Sequence, residues 1–120
     1  MTINKAMEQA DSLRPNSISD VLKGRWLADF EGRLLRETKG AGQCPRYPEE
    51  GDVPLSAYGE YGEIYVLYLR AMIDFYLGEY ESYNNSASML NTLCDAYKRA
   101  QLRAETPPLQ SFKIKGGKRA

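Results

Sequence analysis

The sequence predicts an all-α fold, a small bundle of about four helices around a central helical hairpin, in one domain. Two segments between Glu60 and Ala104 show apolar residues at helical spacing, and the turn Leu77-Gly78-Glu79-Tyr80 separates them. Further apolar-periodic segments precede them, and no stretch before Pro107 is a convincing strand. A chain of 120 residues is long enough to bury roughly two thirds of its unfolded surface in one core.

The first arm of the hairpin is apolar on most of its surface, which is typical of a central helix surrounded by other elements. Its apolar residues form two stripes, namely Tyr61, Tyr65, Tyr68, Met72 and Phe75, and Val66, Leu69, Ile73 and Tyr76. The polar remainder is narrow, and we expect its members to face solvent, namely Glu63, Arg70, Asp74 and Glu81. The second arm is amphipathic, with Tyr83, Ala87, Leu90, Cys94 and Tyr97 on the face predicted to cover the first.

Two further helices are predicted before the hairpin. Thr2 is a candidate N-cap for a helix that ends near Leu13. Ser17, with Asp20 three residues later, is a candidate capping box for a helix that ends near Thr38. Its predicted apolar face consists of Ile18, Val21, Leu22, Trp26, Phe30 and Leu34, flanked by Leu27 and Leu35.

Small residues recur every four positions on a neighbouring face of this second helix, at Gly24, Ala28 and Gly32. Each glycine costs about 1 kcal/mol relative to alanine inside a helix, so close backbone approach is the expected benefit. The pattern is compatible with a tight crossing of the central helix within one subunit, and with a contact between subunits.

The long loop 39–59 has no periodicity and contains Gly40, Gly42, Pro45, Pro48, Gly51 and Pro54. Loops of this length are uncommon in compact domains and are usually functional or disordered. We therefore expect either a protruding arm that contacts a partner or a flexible excursion.

The predicted helical domain covers residues 1–105, and residues 106–120 form a basic C-terminal arm that begins at Pro107-Pro108. The arm carries Lys113, Lys115, Lys118 and Arg119 and no acidic residue, whereas eight acidic residues and one basic residue lie between Glu49 and Glu81. The segment 109–115 alternates partly between apolar and polar residues. It is compatible with a disordered tail or with an arm that pairs as a strand with a neighbouring chain.

The composition argues against catalysis. The chain has no histidine, so Ser-His and Cys-His pairs and the ferritin-like Glu-x-x-His ligand set are excluded. Gly40-Ala41-Gly42 lacks the strand, helix and lysine of a phosphate-binding loop. We expect no enzyme, no cofactor and no metal site. Cys44 is expected to be a loop thiol and Cys94 a small core residue.

The charge balance and hydropathy also limit the partners. Sixteen basic and sixteen acidic residues cancel, so no global field attracts nucleic acid or acidic membranes. The N-terminus lacks the apolar run of a signal peptide, and no apolar stretch approaches the roughly twenty residues of a membrane span. We expect a protein made in a cytoplasm that has no membrane partner.

Nine tyrosines suggest interfaces as well as core positions, because tyrosine combines a large apolar body with a hydroxyl. Spacing places Tyr65, Tyr68, Tyr83 and Tyr97 in the core. The candidate subunit or partner interface consists of loop residues and tail residues, namely Arg46, Tyr47, Tyr58, Tyr61, Phe112, Lys113, Ile114 and Lys115. Gly78 is the candidate turn residue of the hairpin.

Three stretches of the sequence resemble one protein family. They are Arg25-Trp26-Leu27 with Phe30-Glu31-Gly32-Arg33, the run from Tyr65 to Tyr80, and Tyr83-Asn84-Asn85-Ser86. This pattern, over residues 10 to 105, is similar to head–tail connector (adaptor) proteins of tailed bacteriophages and prophages.

The resemblance implies an all-helical subunit of the virion neck, assembled in the host cytoplasm. Such subunits form a ring, commonly of twelve copies, below the portal protein, and the ring binds the next head-completion or tail protein. DNA passes through the channel only as cargo. The alternative is a monomeric protein-binding module, because Gly78-Glu79-Tyr80 is similar to a tetratricopeptide turn, although no second copy at a spacing of about 34 residues is found.

Overall fold

The computed structural model describes residues 1–105 and confirms the all-α fold over that range. Its elements are α1 (Ile3–Leu13), α2 (Asp20–Lys39), a short 3-10 helix (Gly59–Gly62), α3 (Glu63–Tyr76) and α4 (Tyr80–Glu105). Within these residues no strand occurs. None of the helices in this part of the chain combines the length and apolar character that a membrane span requires.

Local capping explains where the first two helices begin. The Thr2 hydroxyl accepts a hydrogen bond from the Lys5 backbone N–H at 3.1 Å, as predicted. In α2 the cap is Ser19, whose hydroxyl accepts from Leu22 N–H at 3.1 Å, so the Ser17 prediction is wrong. The reason is Asn16, whose side chain accepts from Ile18 N–H at 3.0 Å and holds the intervening residues in a turn.

α3 is the central helix, as its sequence predicts. It packs against α4 along its length and also against α1 and α2. The core draws residues from every helix and from the loop, namely Ile3, Ala6, Met7, Ala10, Leu27, Ala28, Phe30, Leu34, Leu55, Ala57, Ile64, Tyr65, Val66, Leu69, Ile73 and Tyr97. In α4, Tyr97 and Ser86 are buried, and Leu90, Leu93 and Cys94 pack against the core as half-buried side chains.

The buried face of α2 differs from the predicted apolar stripe. Leu27, Phe30 and Leu34 are buried, but Val21 is exposed. Lys23 and Glu31 take buried positions instead. Lys23 Nζ lies 2.7 Å from Asp11 Oδ1 and 3.1 Å from Asn16 Oδ1, so its charge is compensated by the α1 end and the α1–α2 connection. Periodicity counts apolar residues only, and it could not show that these partners would meet Lys23.

Candidate functional site

An exposed apolar cluster lies at the turn of the hairpin, where α3 ends and α4 begins. Phe75, Tyr76, Leu77 and Tyr80 are 50–60% exposed, although the sequence pattern placed Phe75 and Tyr76 in the core. Together with the half-buried Tyr83 we call this cluster the aromatic tip. Apolar side chains gathered on one exposed surface are typical of interaction sites, whereas single exposed apolar residues need no explanation.

Ring contacts organise the aromatic tip. The Phe75 ring centroid lies 5.8 Å from that of Tyr80 and 5.3 Å from that of Tyr83, both in tilted arrangements. Tyr76 instead contacts Trp26 of α2 at a centroid distance of 6.0 Å. Tilted aromatic pairs at these distances are favourable, so the side chains support one another in their exposed positions.

The backbone beneath the tip is a tight turn at Gly78. Its φ is 77°, in the left-handed region that glycine adopts without a steric penalty. Glu79 N–H donates to the Asp74 carbonyl at 2.8 Å and Gly78 N–H donates to the Phe75 carbonyl at 3.1 Å. These bonds satisfy carbonyl groups at the end of α3, so the turn is a well-formed helix cap.

The buried carboxylate of Asp74 links the tip to the end of α1. Asp74 is fully buried, which corrects the expectation that it faces solvent. Its Oδ1 lies 2.5 Å from Nη2 of Arg14, and its Oδ2 accepts a hydrogen bond from the Ser82 hydroxyl at 2.8 Å. Arg14 Nη2 also donates to Glu79 Oε1 at 3.2 Å, and this bond raises the pKa of the guanidinium. The partners belong to three segments, so the tip is fixed relative to the bundle.

The long loop lies against α1 and α2, which corrects the expectation of a protruding arm. Asn4 N–H donates to the Gly51 carbonyl at 3.0 Å, and Leu55 N–H donates to the Met1 carbonyl at 2.8 Å. Leu55 is buried in the common core. The loop has no helical or strand period because it is shaped by these separate contacts.

Glu31 is the main anchor of the loop on α2. Its carboxylate accepts from Ser56 N–H at 2.7 Å, from the Ser56 hydroxyl at 3.1 Å and from the Tyr65 hydroxyl at 2.6 Å. The Tyr65 oxygen in turn accepts from Ala57 N–H at 3.0 Å. Burial, followed by the bond to Glu31, raises the pKa of Tyr65, so its hydroxyl stays a donor across physiological pH.

The two helix glycines accommodate the loop. A Cβ at Gly24 would collide with the Tyr47 ring, and one at Gly32 would collide with the Cys44 sulfur. Ala28, between them, is also buried. Within the chain, the close approach that the spacing predicted at Gly24 and Gly32 is therefore made by the loop.

The interface residues predicted from the sequence occupy different environments. Arg46 is exposed, with its Nε 3.6 Å from Glu50 Oε1, and Tyr58 is 70% exposed. Tyr47 is half-buried on α2, and Tyr61 is half-buried with its ring 5.3 Å from that of Tyr97. The remaining candidates lie outside the described residues, namely Phe112, Lys113, Ile114 and Lys115.

Comparisons with protein-family models, with curated proteins and with solved structures find no match for this chain. The aromatic tip is the site that sequence reasoning missed. A signal for it existed, because four large apolar residues, Phe75, Tyr76, Leu77 and Tyr80, stand almost consecutively around a glycine turn. A turn can bury few consecutive side chains, so some of them had to be exposed.

Proposed function

We propose that this chain is a structural, non-enzymatic subunit that assembles through the aromatic tip into a homo-oligomeric ring. In this proposal the ring is a head–tail connector of a tailed bacteriophage or prophage. It sits in the virion neck below the portal protein, binds the next tail-completion protein and surrounds DNA as cargo. The observation that carries the proposal is the exposed aromatic cluster on a rigidly held turn.

Aromatic residues suit this role because they bury a large area on contact at a low cost in side-chain entropy. Tyrosine and phenylalanine are enriched in the cores of protein interfaces, where a few such anchors supply most of the binding energy. The tip presents Phe75, Tyr76 and Tyr80 from a turn fixed by the Arg14–Asp74 ion pair. A preorganised surface loses less entropy when it binds.

A ring requires a second, different surface on each subunit. Heterologous contacts close into rings when one patch of a subunit meets another patch of its neighbour. Tyr58 is 70% exposed just before the 3-10 helix, at the start of the first hairpin arm, whereas the tip lies at its end. The 14 residues of α3 rise about 21 Å between these ends. Tyr58 and the neighbouring exposed Glu60 are therefore a candidate second surface.

The test is native mass spectrometry for the mass and negative-stain microscopy for the shape, on the protein alone and mixed with a bacteriophage portal ring. We expect a ring in at least one of the two samples. A protein that stays monomeric and never binds the portal ring would overturn the connector proposal. A monomer that instead binds an extended peptide would support the module alternative.

Two variants test whether the aromatic tip is the assembly surface. Phe75→Asp and Tyr80→Asp place a charge in the tip and are expected to abolish ring formation or portal binding. The matched control is Val53→Asp, which changes a similarly exposed apolar residue, 48% exposed, on the loop. Assembly should persist in the control. If Val53→Asp and the tip variants behave alike, the tip is not the assembly surface.

A further inference from the structure

An apolar groove runs between α3 and α4 on the outer side of the hairpin. Its volume is about 430 Å³, and its lining is Glu63, Leu67, Ser88, Met89, Thr92, Leu93 and Ala96. Met89 is 53% exposed and lines the groove. The volume falls within the range of binding pockets, and a groove with so few polar groups is favourable for apolar side chains.

The segment after α4 has the side chains that such a groove accepts. The sequence predicts that Pro107 and Pro108 end the helix. In an extended segment, successive side chains point to opposite sides, so Phe112 and Ile114 share one side and Lys113 and Lys115 share the other. Over residues 112–115, one face of an extended segment would therefore be apolar and the other basic.

The length of the connection allows the segment to return to the groove of its own chain. Glu105 lies nine residues after Ala96 in α4, a rise of about 13 Å. Leu109 is four residues beyond Glu105, and an extended chain of that length covers about 13 Å. Ile114, nine residues beyond Glu105, reaches about 30 Å when extended, which exceeds the distance of about 24 Å back along α4 to Met89 and leaves length for the reversal of the chain.

Charge favours the same arrangement. Glu63 is the charged residue of the groove lining, and the exposed Glu60 lies one turn before it. Residues 106–120 carry four basic residues and no acidic one. Complementary charges promote the encounter of two surfaces and help to set their register.

We propose that residues 109–115 fold back in cis and occupy the groove, with Phe112 and Ile114 against Leu67, Met89 and Leu93. The lysines between them then face solvent above the groove. This surface is distinct from the aromatic tip. The proposal does not depend on ring formation, so either can fail without the other.

A disulfide experiment on the full-length chain tests the contact directly. Met89→Cys is combined with Ile114→Cys in a background that carries Cys44→Ser and Cys94→Ala. The matched control replaces Met89→Cys with Glu8→Cys, an exposed position on α1. After mild oxidation at low protein concentration, peptide mass spectrometry is expected to find an intramolecular disulfide for the Met89 pair and none for the control pair.

The other outcomes overturn the proposal in different ways. A disulfide between two chains would mean that the segment occupies the groove of a second copy. Equal oxidation of the Met89 and control pairs, or none in either, would mean that the groove is not the docking site.

A second measurement does not depend on engineered cysteines. The methyl groups of the methionines are labelled with carbon-13 in the full-length chain, and Phe112→Ser with Ile114→Ser is compared with Gly116→Ser with Gly117→Ser. The Met89 methyl resonance should move in the first pair of substitutions and stay in place in the second. The buried Met7 methyl reports whether the fold is intact. An unchanged Met89 resonance in a folded protein would overturn the proposal.

Discussion

The long loop is packed against the helices and the hairpin tip is exposed, which is the reverse of what their sequences suggest. The loop 39–59 is rich in glycine and proline, yet Gly51, Leu55 and Ala57 are buried and its backbone is bonded to α1. The tip is part of the most regular and most apolar region, yet it exposes four large apolar side chains. Our proposed interaction surface therefore follows exposed apolar area and not irregular backbone.

The difference has a physical cause in the number of partners available to each region. The loop passes over α2 beside Gly24 and Gly32, where the absence of side chains lets the Tyr47 ring and Cys44 approach. At the end of α3, the Phe75 ring instead packs on Tyr80 and Tyr83, and Phe75 and Tyr80 stay more than half exposed. Burial depends on what lies opposite a residue as well as on its hydropathy.

The largest loss of stability is expected at Glu31, which holds the loop on α2. Glu31→Ala leaves the Ser56 N–H and the Tyr65 hydroxyl without their buried acceptor, and should lower the free energy of unfolding by about 3 kcal/mol in urea denaturation. The control is Glu37→Ala, an exposed α2 residue paired with Lys98, with an expected change of about 0.5 kcal/mol or less. Similar losses in Glu31→Ala and Glu37→Ala would show that the loop is not held by this network.

The next effect is that of Gly24→Ala on the free energy of unfolding, which should reverse its sign when the Tyr47 ring is removed. In the natural sequence, Gly24→Ala should cost about 1 kcal/mol, because the new methyl group displaces the Tyr47 ring. In a Tyr47→Ala background the same substitution should stabilise the protein by about 1 kcal/mol, since alanine is the better helix former. A double-mutant cycle from thermal unfolding measures both values. Equal effects in the two backgrounds would contradict the contact between loop and helix.

Gly78→Val should lower the free energy of unfolding by about 1 kcal/mol or more, because φ at this position is 77°. Nothing lies within 4 Å of a Cβ placed there, so the cost is conformational and not steric crowding by neighbours. Gly78→Asn is the control, since asparagine tolerates this backbone region better and should lose less. If thermal unfolding shows no difference in stability between the two variants, the turn does not require a residue that tolerates a positive φ.

The smallest effect on stability is expected at the tip surface itself. Tyr80→Ser removes a side chain that is 60% exposed, and should change the free energy of unfolding by about 0.5 kcal/mol or less. Tyr65→Ser, at a fully buried tyrosine of α3, is the contrasting variant and should cost several times more. A large loss for Tyr80→Ser would mean that the tip serves the fold and not an interface.

Much of the fold could be predicted from local signals. The Thr2 cap, the apolar surface of α3 and the glycine turn at Gly78 each depend on residues within a few positions of one another. The buried charges could not be found in this way. Charged residues such as Lys23 and Asp74 are expected to face solvent. Their burial is favourable only because Asp11 approaches Lys23 and Arg14 approaches Asp74.

The candidate site was predicted only in part for the same reason. Exposed Tyr58 and Arg46 fit an interface role, but Tyr47 and Tyr61 are half-buried against α2 and against Tyr97. The spacing of these residues along the chain does not distinguish an exposed side chain from a half-buried one. Which tyrosine is covered depends on the path that the loop takes over the helices.

Local sequence signals account for the helices, their order and the hairpin, because capping, periodicity and turn chemistry act over a few residues. The packing of distant segments sets which polar groups are buried and which aromatic residues are exposed. Glu31 lies 25 positions before Ser56 and 34 before Tyr65, so their contact exists only after the helices pack. The aromatic tip is exposed because the packing that covers the middle of α3 ends before Phe75.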